Sequence, residues 1–465
     1  MESELSRCRV LVPSGVLGSG CPAEALERGV SLKPHAIAVD AGSTDSGPHY
    51  LGVGVSKMTR KAIKRDLRDL MLARDRLSIP LLIGSCGTSG TDKGVDWTAD
   101  ICREIAAEEG LSINLGLVYA EQDREILKSK LAAGSITALP PLGPLRPGDL
   151  DACSHIVALL GYEPFVEAIR KGANIILAGR ATDTAVLAAV PLMKGFAPAQ
   201  CWHAAKIAEC GGLCTDYSRR GGVMIDIGHD DFIVDPLHPD NTCSVRSVSA
   251  HLLYENSDPY RLIEPGVILD AKDARYEQHD KRRVRVVGSQ AELMPYTMKL
   301  EGSGPTGFKT MVFVGIADPK LLARLDDWLT NLETHLRAGI ESTLGYSENG
   351  YEMQLRAYGW NALRPRNAPP PSQPPPEVGV MLLVQAASQS VATEIAKFCN
   401  PYLLHFPLNP GDPMPSFAFP FSPAEIEMGP AFAFRLNHVV HVESPMELVR
   451  MAIEKISRGD THARA

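Results

Sequence analysis

Short apolar runs alternate with amphipathic stretches through the first 215 residues of the chain. The apolar runs predict strands at Arg9–Pro13, Ala36–Asp40, Pro80–Cys86, Ile113–Ala120 and Ile175–Gly179. Apolar residues at helical spacing predict helices between and after them, at residues 23–30, Thr59–Leu77, Val95–Glu109, Arg124–Ala133 and Thr182–Met193. Because the strands are almost continuously apolar, we expect a mostly parallel sheet with helices on both faces.

The rest of the chain shows two further patterns of predicted strands and helices. Between about 216 and 296, residues 223–228 and 232–237 predict two strands, Val245–Asn256 a helix and Arg282–Gly288 a strand. In the last third, the predicted order is strand Phe308–Ile316, helix Lys320–Ala338, strands Tyr351–Tyr358 and Val378–Val384, helix Ser388–Phe398 and strand Ala433–Val442. Two strand–helix–strand units in succession predict a smaller α/β sandwich of ferredoxin-like type, with the proline-rich loop 364–376 between its halves. The predicted fold class is therefore α/β, with a substrate-binding and catalytic domain at 1–296 and a smaller domain at 297–465.

Composition and charge narrow the class of protein. Hydrophobic residues make up 45% and charged residues 22% of the 465 residues, which is typical of a globular protein and not of a disordered one. The net charge of −8 argues against a broad nucleic-acid-binding surface. No run of about 18 apolar residues predicts a membrane span, and the first residues lack the layout of a secretory signal. The ten scattered cysteines are typical of reduced thiols, so we expect a cytoplasmic protein.

Small and polar residues follow the early strands, where open α/β sheets bind ligands. Glycines let the backbone approach a ligand closely, and hydroxyl groups donate hydrogen bonds. Ordinary turns between strands and helices need the same residues, so any one loop has this simpler explanation. We select as candidate substrate-binding residues Tyr50, Ser85, Thr88, Ser89, Lys93 and Arg180.

Charged residues at these loops are candidates for acid–base chemistry. Asp40 and Asp45 are placed to bind a divalent cation or to carry protons, although a hydrogen-bonded loop would use the same residues. Arg180 directly follows a predicted strand and is suited to clamp a carboxylate or a phosphate. The alternative is that Arg180 only pairs with Asp183, which would cap the next helix. Asp183 is nevertheless kept as a candidate catalytic residue.

Histidines give two further hypotheses. His251 and Glu255 are four residues apart on the predicted helix, a spacing that orients an imidazole for proton transfer or forms a simple surface pair. His203, Cys210 and Cys214 suggest zinc, but their spacing fits no standard structural site. Gly302–Lys309 precedes a predicted strand and is placed to close over a ligand.

Several enzyme signatures are missing. The early loops match neither the dinucleotide-binding fingerprint nor the P-loop, and no G-x-S-x-G elbow of serine hydrolases occurs.

Four stretches nevertheless make the chain resemble the acyclic terpene utilisation (AtuA-like) family: DAGSTDSGPHYLG, IILAGRATDTAV, SVSAHLLYENSDPY and FPFSPAEIEMGPAFAFRLNHVVHV. The resemblance implies a cytoplasmic catabolic protein, without defining its reaction. It also implies an additional small domain, which some relatives carry on the same chain and others have on a separate partner subunit.

The leading hypothesis is a lyase or hydratase that acts on a small hydroxylated or unsaturated carboxylate or its CoA ester. Arg180 would bind the anion with help from the 85–90 loop, while Asp40, Asp45, Asp183 and His251 would carry protons. A divalent cation, Mg²⁺ or Mn²⁺, would stabilise an enolate if one is bound. The alternatives are a non-catalytic or co-catalytic acyl-CoA-binding subunit and a metal-dependent hydrolase. We further expect a homo-oligomer with no nucleic-acid or membrane partner.

Overall fold

The computed structural model describes residues 5–364 and 373–458. Within these ranges the strands are β1 Cys8–Val12, β2 Ala36–Asp40, β3 Leu81–Gly84, β4 Ile113–Tyr119, β5 Ile136–Ala138, β6 His155–Ala158, β7 Ile175–Ala178, β8 Val223–Ile227, β9 Asp231–Pro236, β10 Arg261–Glu264, β11 Val267–Asp270, β12 Arg275–Gln278, β13 Val284–Val287, β14 Gln290–Leu293, β15 Thr297–Ile316, β16 Tyr351–Tyr358, β17 Val378–Ala386, β18 Ile426–His441 and β19 Arg450–Ile456. The helices are α1 Ala23–Ser31, α2 Pro48–Val53, α3 Arg60–Leu77, α4 Asp92–Glu109, α5 Arg124–Ala132, α6 Pro147–Asp151, α7 Glu163–Arg170, α8 Asp183–Met193, α9 Pro198–Ala208, α10 Val245–His251, α11 Pro319–Leu322, α12 Leu325–Gly339 and α13 Gln389–His405.

Ten of the described strands form one sheet in the order β12-β13-β9-β8-β1-β2-β3-β7-β4-β19. The five neighbours from β1 to β4 in this order run parallel, so their carboxyl ends lie at one edge of the sheet. Alternate residues of these strands pack into different cores. Val10 and Val12 join a core with α8 and α9, whereas Leu11 joins a core with α1, α3 and α4. Helices therefore cover both faces of the parallel strands, as predicted.

The outer strands of this sheet are antiparallel. β8, β9, β13 and β12 extend it in that order beyond β1, and β19 pairs with β4 at the opposite edge. The α/β class is confirmed, but the whole sheet is mixed, and the parallel arrangement is confined to its centre. The antiparallel strands need only short connections, whereas a parallel pair needs a crossover such as a helix.

A second fold is formed by the segment from β15 to β18. Its order is strand–helix–strand–strand–helix–strand, and its sheet runs β16-β17-β15-β18. The first strand therefore lies between the third and the fourth, which is the ferredoxin-like arrangement that the sequence predicts. The predicted proline-rich loop falls between β16 and β17, but its residues 365–372 lie outside the described residues.

The described chain divides into two compact units. Residues up to Gly304 and from Phe434 onward form the first unit, and Pro305–Ala433 forms the second. The predicted domain division at 296/297 differs from these units, because the last segment of the chain returns to the first unit. It does so through β19, which pairs with β4. Within the described residues, no helix is long and apolar enough to cross a membrane.

Candidate active site

The candidate site lies in the first unit, at the carboxyl edge of its parallel strands. Asp40 ends β2, Ser85 follows β3 and Arg180 follows β7 by two residues. These three strands are neighbours in the sheet, so the polar residues at their ends are brought together. The convergence of these loops agrees with the prediction from the sequence.

The guanidinium group of Arg180 forms an ion pair with the buried carboxylate of Glu301. Its Nε donates to Oε2 of Glu301 at 3.1 Å, and its Nη1 donates to Oγ of Ser85 at 3.1 Å and to the carbonyl oxygen of Ala181 at 3.2 Å. Among the described residues, Nη2 makes no hydrogen bond. Arg180 therefore retains one terminal nitrogen for a ligand, rather than the open two-nitrogen clamp expected from the sequence.

Glu301 neutralises this arginine from β15. Its Oε2 also accepts a hydrogen bond from Thr44 at 3.0 Å, and its Oε1 accepts one from Lys299 at 2.9 Å. Burial alone would raise the pKa of Glu301, but the positive charges of Arg180 and Lys299 lower it to about 2. Glu301 is thus a permanent anion.

Asp40 is a buried carboxyl group with one unsatisfied oxygen. Its Oδ2 accepts a hydrogen bond from the backbone of Gly42 at 2.7 Å, whereas its Oδ1 has no partner among the described residues. Burial, and after it the negative charge of Asp183, raise the pKa of Asp40 well above its usual value, although Arg180 opposes the change. The surroundings of Asp40 therefore favour its protonated form, and its Oδ1 is available to a ligand.

Asp183 is the more accessible of the two aspartates. It begins α8 after the N-cap residue Thr182, and its Oδ1 lies 3.6 Å from Nη1 of Arg180. Solvent reaches 31% of its side-chain surface, which moderates its electrostatic interactions. Burial, assisted by the charges of Asp45 and Glu255 and opposed by Arg180, raises the pKa of Asp183 to about 6. At neutral pH most of Asp183 is therefore ionised.

A buried lysine and its carboxylate partner border Asp183. Lys206 lies in α9 and donates to Oε1 of Glu209 at 2.6 Å and to the carbonyl oxygen of Tyr254 at 2.9 Å. Burial raises the pKa of Glu209 above its usual value, and the charge of Lys206 opposes this change. The charge of Asp183 also raises this pKa, so the two carboxyl groups lie within electrostatic reach of each other.

His251 and Glu264 add further unsatisfied polar atoms. Neither ring nitrogen of His251 has a partner among the described residues, and burial, followed by the charge of Lys206, lowers its pKa to about 4. Glu264 accepts a hydrogen bond from Thr184 at 2.5 Å through Oε1, but its Oε2 has no partner there. Burial raises the pKa of Glu264 to about 7. Polar groups this deeply buried usually have a partner, and a bound ligand or an ordered water would supply one here.

The remaining predicted residues lie around this cluster in several ways. Asp45 is exposed and accepts a hydrogen bond from Ser43, and its charge acts on Asp183. Thr88 is buried and accepts a hydrogen bond from the backbone of Lys57 at 2.9 Å. Ser89 is also buried and donates to the carbonyl oxygen of Tyr50 at 3.4 Å. The hydroxyl groups of Thr88 and Ser89 therefore hold neighbouring segments of the chain together.

Lys93 lines a cleft of about 380 Å³ together with Trp97, Val55 and Met58. Gly87, in the same loop as Ser85, also lines this cleft. The 85–90 loop thus has one residue bonded to Arg180 and another at the cleft.

Three expectations from the sequence are wrong. Helix α10 ends at His251, and Glu255 lies beyond it with a left-handed φ of 52°, so the two do not share a helix face. Gly302–Lys309 lies inside strand β15 and is not a loop. His203 is buried and bonded to the hydroxyl groups of Ser289 and Tyr276 at 2.7 and 3.0 Å, which gives it a structural role instead of a place in a zinc site.

The family model described as "Acyclic terpene utilisation family protein AtuA" matches residues 82–413, well over half of the chain. The chain belongs to the AtuA family. Neither a curated protein nor a solved structure matches it. The match includes Arg180, Asp183 and Glu301 but begins after Asp40.

The AtuA family is named for the utilisation of acyclic terpenes, so this protein has a catabolic association. No group of three histidine, cysteine or acidic side chains that could hold a metal ion occurs in the part of the chain described by the structure. The predicted Mg²⁺ or Mn²⁺ site at Asp40 and Asp45 therefore has no supporting geometry. The cluster can instead hold and move protons, because its carboxyl groups differ widely in pKa.

Sequence reasoning missed Glu301, Glu264, Lys206 and Glu209. The first two come from strands far along the chain, and nothing in their local sequence signals a shared site. Lys206 had a weak signal, because it is a single cation within the apolar stretch that forms α9. A buried lysine requires a partner, and Glu209 stands one helical turn later.

Proposed function

We propose that this AtuA-family protein is a catabolic enzyme that adds water to, or removes it from, a small hydroxylated or unsaturated carboxylate or its CoA ester. The observation that carries the proposal is the different surroundings of two aspartates whose charges both interact with Arg180. Asp40 is buried with an unsatisfied Oδ1, and its pKa is raised well above the usual value, whereas Asp183 is 31% exposed and has its pKa raised only to about 6. A pair of carboxyl groups tuned apart in this way supplies a base and an acid at once.

In the dehydration direction, the ionised Asp183 accepts the proton from the carbon next to the acyl carbonyl group. Asp40 donates its proton to the departing hydroxyl group through the carboxyl group whose Oδ1 is unsatisfied. The electron pair of the broken C–H bond forms the double bond as water leaves. Hydration follows the same steps in reverse, with the proton roles exchanged.

Charge that develops on the acyl oxygen needs hydrogen-bond donors. Within this cluster, Nη2 of Arg180 and the N–H of neutral His251 are donors for which the described residues show no hydrogen-bond partner. The ion pair with Glu301 fixes the guanidinium group of Arg180 in place. Ser85 adds a second contact that orients it. In this proposal Arg180 and His251 therefore bind the acyl oxygen, while Asp40 and Asp183 carry the protons.

The test is an assay of purified protein with 2- and 3-hydroxy acids, their unsaturated counterparts and the corresponding CoA esters, followed by ultraviolet absorbance of the enoyl product. We expect turnover of at least one pair, and a loss of at least about 100-fold in D183N. Asp75→Asn is the matched control, because Asp75 is a half-exposed aspartate in the same unit. Thermal denaturation establishes that each variant is folded.

Two other outcomes correspond to the alternative functions. Stabilisation by CoA esters without turnover of any compound would contradict the enzyme proposal and support an acyl-CoA-binding subunit. Ester or amide hydrolysis that depends on added Mg²⁺ or Mn²⁺ would support a metal-dependent hydrolase.

A cytoplasmic location, a homo-oligomer and a small partner subunit stay predictions, which fractionation and size-exclusion chromatography test.

A further inference from the structure

Every cation of the candidate site is already bound to a carboxylate. Arg180 and Lys299 both contact Glu301, at 3.1 and 2.9 Å. Lys206 contacts Glu209 at 2.6 Å. Arg180 also lies 3.6 Å from Asp183, so three carboxylates face the three cations, and no positive charge is in excess when Asp183 is ionised.

The groups that remain without partners are acidic or neutral. Asp40 and Glu264 each have one buried oxygen with no hydrogen bond among the described residues, and His251 has two such nitrogens. All three side chains are more than nine-tenths buried. Asp183 lies within electrostatic reach of Asp40 and Glu264, and it carries a negative charge when ionised. A carboxylate brought to this place would add a negative charge beside Asp183 that no excess positive charge balances.

Resting on the proposed function, we infer that the acyl group enters this site uncharged, as a thioester, ester or amide, and that a free carboxylate is excluded. An uncharged acyl group suits the unsatisfied atoms. Its hydroxyl group can accept from one carboxyl group and donate to another, and its carbonyl oxygen accepts from Arg180 or His251. The ion pairs thus make the site select the uncharged thioester, ester or amide over the free acid.

The experiment compares matched ligands that differ only in this charge. The probes are 3-hydroxybutyrate and crotonate as free acids, and the N-acetylcysteamine thioester and the methyl ester of each. Binding to wild-type protein is measured by calorimetry at pH 7.5. We expect the uncharged forms to bind at least about 100-fold more tightly than the acids, because one unit charge at a few ångströms in a partly screened site has an effect of this size.

The variant Glu301→Gln tests the cause. It releases Arg180 and Lys299 from their anion, so we expect the affinity for the acids relative to the thioesters to rise at least about 10-fold. Glu277→Gln is the control, because it removes an exposed partner of Arg285 and leaves the site intact. If Glu301→Gln does not fold, the comparison of ligands on wild-type protein still decides.

Acids that bind as tightly as the thioesters, or no binding of any probe, would overturn the inference. The outcome is separate from that of the proposed function. Preference for the uncharged forms without any water addition or removal would contradict the proposed reaction and uphold the charge selection. Turnover of the free acids alone would support the proposed reaction and contradict the charge selection.

Discussion

The buried ion pair between Arg180 and Glu301 allows a quantitative test of the site. Both side chains are less than one-tenth exposed, and the bond between Nε and Oε2 measures 3.1 Å. Glu301→Gln keeps the size of the side chain but removes its charge. It leaves Arg180 and Lys299 in place without their anion, which is more costly than losing both partners of a buried pair.

The magnitude follows from the pKa of Glu301. The positive charges lower it from the usual 4.5 to about 2 against the effect of burial. At about 1.4 kcal/mol per pH unit, this difference stabilises the native state by about 3 kcal/mol at pH 7. Since the native pKa lies below the unfolded one, the stabilisation is complete above about pH 4.5 and is lost as the pH falls towards 2. At pH 3 it is reduced to about half or less of its value at pH 7.

The assay is thermal and urea denaturation of wild type and Glu301→Gln between pH 3 and pH 7, followed by tryptophan fluorescence. We expect a lower melting temperature by roughly 4 °C at pH 7 for a unit of this size, with the difference shrinking at low pH. Glu277→Gln, which removes an exposed pair, should cost less than about 1 kcal/mol. A Glu301→Gln variant as stable as Glu277→Gln at pH 7 would refute the reasoning.

Three further predictions follow from the same site. For any substrate that the protein turns over, kcat/KM should fall below about pH 6 as Asp183 takes up a proton, and a flat profile there would exclude it as the base. The pKa of His251 is about 4 in the native state and about 6.5 in the unfolded chain, so between pH 6.5 and pH 4 the unfolded chain binds a proton that the native state does not. This difference lowers the stability of the wild type by about 3 kcal/mol at pH 4, and His251→Gln should remove that loss. Melting temperatures measured across this pH range test the prediction. Gly90→Ala should cost at least about 2 kcal/mol in urea denaturation, because its Cβ would lie 2.0 Å from the backbone nitrogen of Arg180. Gly134→Ala, with a similar φ of 71° but open space around it, should cost only about 1 kcal/mol, and equal losses would show that the contact with Arg180 is unimportant.

The sequence predicted most of the parallel core because its signals are local. Ala36–Asp40 is an apolar run buried on both faces, and it is a strand with those bounds. The helix predicted from Thr59 begins one residue later, with Thr59 as its N-cap. By contrast, α9 is buried almost all round and shows no amphipathic period, so its pattern gave no helix prediction. Strand β14 is exposed throughout and has no alternation.

The site was predictable only as far as it depends on turns between strands and helices. Asp40, Ser85, Arg180 and Asp183 follow parallel strands, so the topology alone brings them to one edge. The insertion of β7 between β3 and β4 could not be read from chain order. Glu301 and Glu264 reach the cluster from strands outside that pattern. The predicted helix at Val245–Asn256 was too long because the apolar Leu253 and Tyr254 continue the spacing, although both are largely exposed.

The pairing of β19 with β4 has a consequence for how the protein is made. Strand β19 comes at residues 450–456, after the whole of the second unit has left the ribosome. The ferredoxin-like unit can therefore fold during synthesis, while the edge of the large sheet beside β4 waits uncovered for its last strand. Until then, this exposed edge is open to pairing with other chains. Truncation just before β19 would accordingly reduce the yield of soluble protein much more than the loss of a few terminal residues suggests.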